Sequence, residues 1–105
     1  MSNDILLLEK KVFETIKTIY DPEIPVNIYD LGLIYSVDVD DYNNVDISMT
    51  LTAPNCPVAD DLIREVRDKV AELPDTQRVN VDLTFEPPWD KSMMSEEASL
   101  ELGFL

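Results

Sequence analysis

Two stretches of strict apolar–polar alternation, separated by a short polar gap, constrain this fold more than any other feature. In the first, Leu33, Tyr35, Val37 and Val39 share one face while Ser36, Asp38 and Asp40 take the other. In the second, Val45, Ile47, Met49 and Leu51 point one way and Asp46, Ser48, Thr50 and Thr52 the other. A period of two marks a strand buried on one side. A connector as short as Asp41 to Asn44 predicts an antiparallel hairpin. Such a hairpin needs an apolar cover on its buried face.

Segments with helical spacing supply that cover. Ile5, Leu8, Val12, Ile16 and Ile19 recur at helical intervals, and Phe13 and Tyr20 widen the stripe. Asn3 and Asp4 are good N-caps, and Pro22 ends the helix by driving Asp21 out of helical geometry. A second helix is predicted from Pro57 to Leu73, with Val58, Leu62, Val66, Val70 and Leu73 as its buried stripe and Pro74 as its stop. Val79, Val81, Leu83 and Phe85 predict a third strand, which Pro87-Pro88-Trp89 breaks. A short helix follows from near Ser92 to Leu102, closed by Gly103. The connector 21–32 is long and apolar, so it should pack on the core, with Gly32 supplying a backbone angle that other residues resist.

The order α-β-β-α-β-α defines an α/β (α+β) two-layer sandwich with a three-stranded mixed sheet. The helical crossover between the second and third strands is right-handed where those strands run parallel. At 105 residues the chain is read as one domain, 1–105, able to bury a core without disulfides.

The net charge of −14 argues against nucleic acid and anionic membranes as partners. It reads either as a solvated surface or as an acidic face for a basic protein. The longest apolar run, Ile5 to Leu8, is far too short to span a bilayer. A single cysteine forms no internal disulfide, and no leader precedes Asp4, so a cytoplasmic location is expected. The chain has no histidine. That removes Cys-His and Ser-His-Asp catalysis and imidazole metal ligation together.

The chemistry concentrates in Met49-Thr50-Leu51-Thr52-Ala53-Pro54-Asn55-Cys56-Pro57-Val58, a strand running into a turn and then a helix. Pro54 and Pro57 stiffen the turn around Asn55 and Cys56. Pro57 suits the first helical position, which makes Cys56 the N-cap and sets its thiol against unpaired N–H groups that favour thiolate. Asp60 and Asp61 oppose that effect. An inert, partly buried cysteine is the alternative reading. Thr50 and Thr52 either border this site or simply follow strand propensity. Asp21 and Glu23, with Asp60 and Asp61, offer oxygen ligands to a hard cation, but no EF-hand spacing organises them, and an Asx-turn is the competing use of Asp21. Trp89 is either a lid on the core or an aromatic docking anchor.

Four motifs together, Asp21-Pro22-Glu23, Asp30-Leu31-Gly32-Leu33-Ile34-Tyr35, Met49-Thr50-Leu51-Thr52 running to Cys56-Pro57, and Pro87-Pro88-Trp89, carry a resemblance. The chain resembles the metal–sulfur cluster biosynthesis family, with its SufT-like and PaaD-like members and a eukaryotic cytosolic iron–sulfur targeting subunit. The resemblance spans about Val12 to Leu102, and the ending Met94-Ser95-Glu96-Glu97-Ala98 looks like that of short bacterial SufT-like members. It implies an iron–sulfur assembly domain that helps mature client proteins. It also implies that Cys56 is the reactive cysteine, with Asp21 and Glu23 brought near it by the fold. The cysteine-rich C-terminal extension of longer PaaD-like members is absent.

With one cysteine per chain, a cluster or iron would be held transiently and shared, across a homodimer or with a donor or client. The leading expectation is thus a non-enzymatic accessory factor that meets the iron–sulfur assembly machinery and client apoproteins. The alternatives are a pure adaptor docking through an acidic surface and Pro87-Pro88-Trp89, and a thiol enzyme lacking a histidine base.

Overall fold

The computed structural model describes residues 5–21, 25–52 and 59–103. Helix α1 spans Ile5–Ile16 and buries Leu8, Val12 and Ile16 along one stripe. Each such side chain withdrawn from water contributes about 1.5–3 kcal/mol. The helix ends earlier than the apolar spacing predicts. The Thr18 and Ile19 amides turn back to the carbonyls of Thr15 and Ile16, and the Thr18 hydroxyl donates to Thr15 O at 2.6 Å. Several β-branched residues here weaken helical preference, and the threonine offers the backbone another partner. Ile19 is fully buried, but Tyr20 is exposed, so it does not extend the core stripe.

Strands β1 (Ile34–Val39) and β2 (Asn44–Met49) pair antiparallel as the alternation predicts. Asp40 builds the connecting turn: its carboxylate accepts from the Tyr42 and Asn44 amides, and Asn43 takes a positive φ of 63°. An asparagine tolerates that angle better than most residues. The register shifts between Ile34 and Ser36, so Ile34 stands opposite the buried Met49. This bulge takes Tyr35 out of the simple alternation.

Helix α2 (Ala59–Ala71) crosses to β3 (Arg78–Leu83), which pairs parallel to β2 in register from Asn44–Arg78 to Met49–Leu83. The sheet order is β1-β2-β3, a three-stranded mixed sheet. Helices α1 and α2 pack against each other and against β1 and β3 respectively. Val37, Val45, Ile47 and Met49 from the sheet meet Leu62, Val66 and Val70 from α2 in one core. The N-cap positions predicted for both helices, and the expected start of the second at Pro57, lie outside the described residues.

The last helix divides in two. A 3-10 turn covers Lys91–Met93, and α3 covers Glu96–Glu101. Between them Ser95 takes an extended conformation, its hydroxyl accepting from the Ala98 amide while its own amide donates to Asp30 O at 2.8 Å. A serine cap facing a buried Ala98 accounts for the break. Gly103 has φ of +80°, in keeping with a helix-closing glycine.

Candidate functional site

The connector before β1 packs inward as its composition requires: Val26, Ile28 and Leu31 are all buried. It is tied into the fold by backbone bonds running from Ile28 N to Ile19 O (2.9 Å), Leu33 N to Ile28 O (3.1 Å) and Thr50 N to Leu33 O (2.8 Å). The Asp21 amide donates to Val26 O at 3.4 Å within the same framework. These bonds connect the loop carrying Asp21 to the end of β2 carrying Thr50, although the two are far apart in sequence.

Gly32 is required there twice over. Its φ is +84°, and a Cβ at this position would overlap the Met93 carbonyl oxygen. The close approach brings the C-terminal segment against the Asp30–Leu33 turn. The Trp89 indole N–H donates to Leu31 O at 2.7 Å, and the Tyr35 hydroxyl donates to Pro87 O at 2.6 Å. Thr84 N donates to Met49 O at 2.9 Å. The segment after β3 thus runs from the end of β2 across to the start of β1. Trp89 is half-buried against the core with its only polar atom bonded inward. Tyr35 reads as a plain strand residue from the alternation, and the structure gives its hydroxyl the further task of holding Pro87. Its place in Asp30-Leu31-Gly32-Leu33-Ile34-Tyr35 was the signal available.

At the centre of this framework lies Thr50. By alternation it belongs on the polar face of the sheet, yet it is fully buried. Its hydroxyl has no hydrogen-bond partner among the described residues. Leaving a hydroxyl unsatisfied in the interior costs about 1–3 kcal/mol, and among the described residues the Thr76 hydroxyl is left in the same state. Valine would satisfy the strand without that cost. Thr52, two residues on, is half-buried. Glu23, Asn55 and Cys56 lie outside the described residues.

The helix that follows opens on acidic side chains. Asp60 and Asp61 occupy its first turn, and Arg64 sits 3.9 Å from Asp61 with both side chains exposed. Carboxylates here complement the helix dipole. They also reduce the positive potential available to a thiol just ahead of the helix in sequence. Among the described residues no three acidic, cysteine or histidine side chains gather as a metal site. None of the described helices is long and apolar enough to cross a membrane.

The fold is a small α+β arrangement in which the three-stranded sheet ends beside a buried polar residue, Thr50. Residues 9–83 match the family model described as iron-sulfur cluster assembly protein, and the chain belongs to that family. It is 58% identical over 105 residues, covering all of both chains, to an Fe-S protein maturation auxiliary factor of Porphyromonas gingivalis. It is 41% identical to the Fe-S protein maturation auxiliary factor SufT of Staphylococcus aureus, over 81% of this chain and 97% of that one. Among solved structures, a domain of unknown function from Bacillus anthracis superposes with a TM-score of 0.88 at 34% identity, covering 95% of each chain.

Proposed function

We propose that this protein is an auxiliary factor in iron–sulfur protein maturation, aiding delivery of a cluster to client apoproteins through Cys56 and protein contacts. The observation that carries this reading is the 58% identity, end to end, with a protein named for that role. Two other relatives, in Staphylococcus aureus and Bacillus subtilis, bear the same description.

The chemistry of the chain is consistent with a cluster handled as cargo. Iron–sulfur clusters are held by cysteine thiolates. A chain with one cysteine and no histidine supplies one such ligand, so the remaining ligands come from a donor, a client or a second subunit. Release is then a ligand exchange: each client thiolate that bonds iron displaces one existing iron–ligand bond, with no change in oxidation state. Incomplete ligation favours such exchange. In this reading the candidate site comprises Cys56 together with Thr50, Thr52, Asn55, Asp21 and Glu23. The Thr50 hydroxyl, fully buried and without a partner among the described residues, is assigned in this reading to the support of the site rather than to contact with the cargo.

The role is auxiliary, without turnover of a substrate. The test is removal of the gene. Cluster-dependent enzymes should lose activity while their polypeptide levels hold, and anaerobic reconstitution of those enzymes in extract should restore it. Unchanged activity under high demand for clusters would refute the reading.

A further inference from the structure

We infer that the uncovered face of the sheet is a docking surface for a lysine- and arginine-rich protein surface. Helices α1 and α2 share one side of the sheet. The register sets Ser36 opposite Ser48, Asp38 opposite Asp46, Asp46 beside Asn80 and Ser48 beside Asp82 on the other. Ser36, Asp38, Asp46, Asn80 and Asp82 are all exposed.

The basic side chains of the molecule are segregated, while acidic ones stand on the helices as well as on the sheet. Of the eight lysines and arginines, Lys10, Lys11, Lys17, Arg64, Arg67 and Lys69 belong to α1, its end, or α2, and Lys91 to the 3-10 turn. Each of the three ion pairs found among the described residues involves a cation of α1 or α2. The sheet face keeps Arg78 alone, at the hairpin end of β3 opposite Asn44. Asp38 and Asp46 stand directly across from one another, an arrangement that destabilises an antiparallel pair. Folding does not require it, since a threonine or lysine at either position would pair better. The face therefore carries a charge pattern that a complementary surface would neutralise.

The side chains are short, which leaves the sheet flat and approachable. Three strands of six residues at ~3.3 Å rise and ~4.8 Å spacing make a patch roughly 20 Å long and 10–15 Å wide. That is well below the ~800 Å² per partner of a standard interface, so the contact is transient and salt-sensitive. Tyr42, 78% exposed at the hairpin tip, provides an aromatic at its rim. A second copy would meet this face with the same negative charge and be repelled. At its other end the face leads along β2 to Thr50 and Thr52, so a docked partner lies beside the proposed delivery site. The inference deepens the delivery reading by assigning the surface that meets the partner.

The test titrates the full 15N-labelled chain at low salt with a 12-residue peptide of alternating lysine and glycine, and separately with magnesium chloride. Peptide-induced shifts should concentrate on the amides of Ser36–Asp38, Asp46–Ser48 and Asn80–Asp82. The triple variant Asp38→Asn/Asp46→Asn/Asp82→Asn should bind about tenfold more weakly while melting at the same or a higher temperature. In cells it should lower client activity at unchanged protein level. Shifts centred on the carboxylates of α1, α2 or α3 would overturn the proposal. So would equal shifts from magnesium, which indicate a cation site, or shifts that track protein concentration alone, which indicate self-association. A failure here with client activity still dependent on Cys56 would leave the delivery reading standing. The reverse result would leave the docking face standing.

Discussion

The indole N–H of Trp89 donates a 2.7 Å hydrogen bond to the carbonyl of Leu31, a residue wholly shielded from solvent. That bond joins the Pro87-Pro88-Trp89 segment to the Asp30–Leu33 turn, and the Tyr35–Pro87 contact fastens the same junction beside it. Two motifs that stand far apart in the chain act as one clamp behind the end of β2.

Trp89→Phe keeps a smaller aromatic ring but removes the donor, leaving a buried carbonyl unsatisfied. The expected loss is about 1–3 kcal/mol. Urea unfolding measures it, with an unchanged m-value showing that the native fold persists. A loss below a few tenths would show the bond to be dispensable.

Gly32→Ala imposes a Cβ where φ is +84° and the Met93 carbonyl already sits. Left-handed backbone alone costs about 1–2 kcal/mol for a non-glycine residue, before the overlap is relieved. The 3-10 turn should be pushed from the connector, so thermal melting should fall and proteolysis should cut first between Trp89 and Ser95. Limited digestion followed by mass analysis reports this directly.

Thr50→Val removes an unsatisfied hydroxyl with almost no change of shape. Stability should stay level or rise, by up to about 1–3 kcal/mol, while client maturation in cells falls. A variant that is more stable and equally active would show the hydroxyl to be without function.

Asp40 accepts hydrogen bonds from the Asn44 backbone and side chain and from the Tyr42 amide, and these hold its pKa below the ordinary 3.8. A depressed carboxylate pKa favours the folded state above the unfolded value, and that contribution is lost as pH falls through the lower folded value. Carboxyl-detected NMR should place the Asp40 midpoint below 3.8. Asp40→Ala should lower the melting temperature at pH 7 and make progressively less difference as pH falls from 3.8 through that midpoint.

The hairpin and both long helices were legible because their periods are local: Val45, Ile47 and Met49 against Asp46 and Ser48 leave one reading. The connector's inward packing was legible from its apolar content. What could not be read was the clamp, because Trp89 and Leu31 are 58 residues apart and Tyr35 and Pro87 are 52. No periodicity reports a contact at that separation. The end of α1 was overestimated because Ile19 continues the apolar stripe although the backbone has already turned. Thr50 departs from its alternation in a similar way: the period of two places it on the polar face, while the structure buries it. Of the site itself, Cys56, Asn55 and Glu23 rest on the sequence and on family membership.

The central claim is that delivery runs through Cys56, and the most direct measurement is client activity in cells whose only copy of this protein is Cys56→Ala. The account predicts that cluster-dependent enzymes lose activity as in the deletion strain, while the variant accumulates and melts like the natural protein. Full client activity from that variant would contradict it.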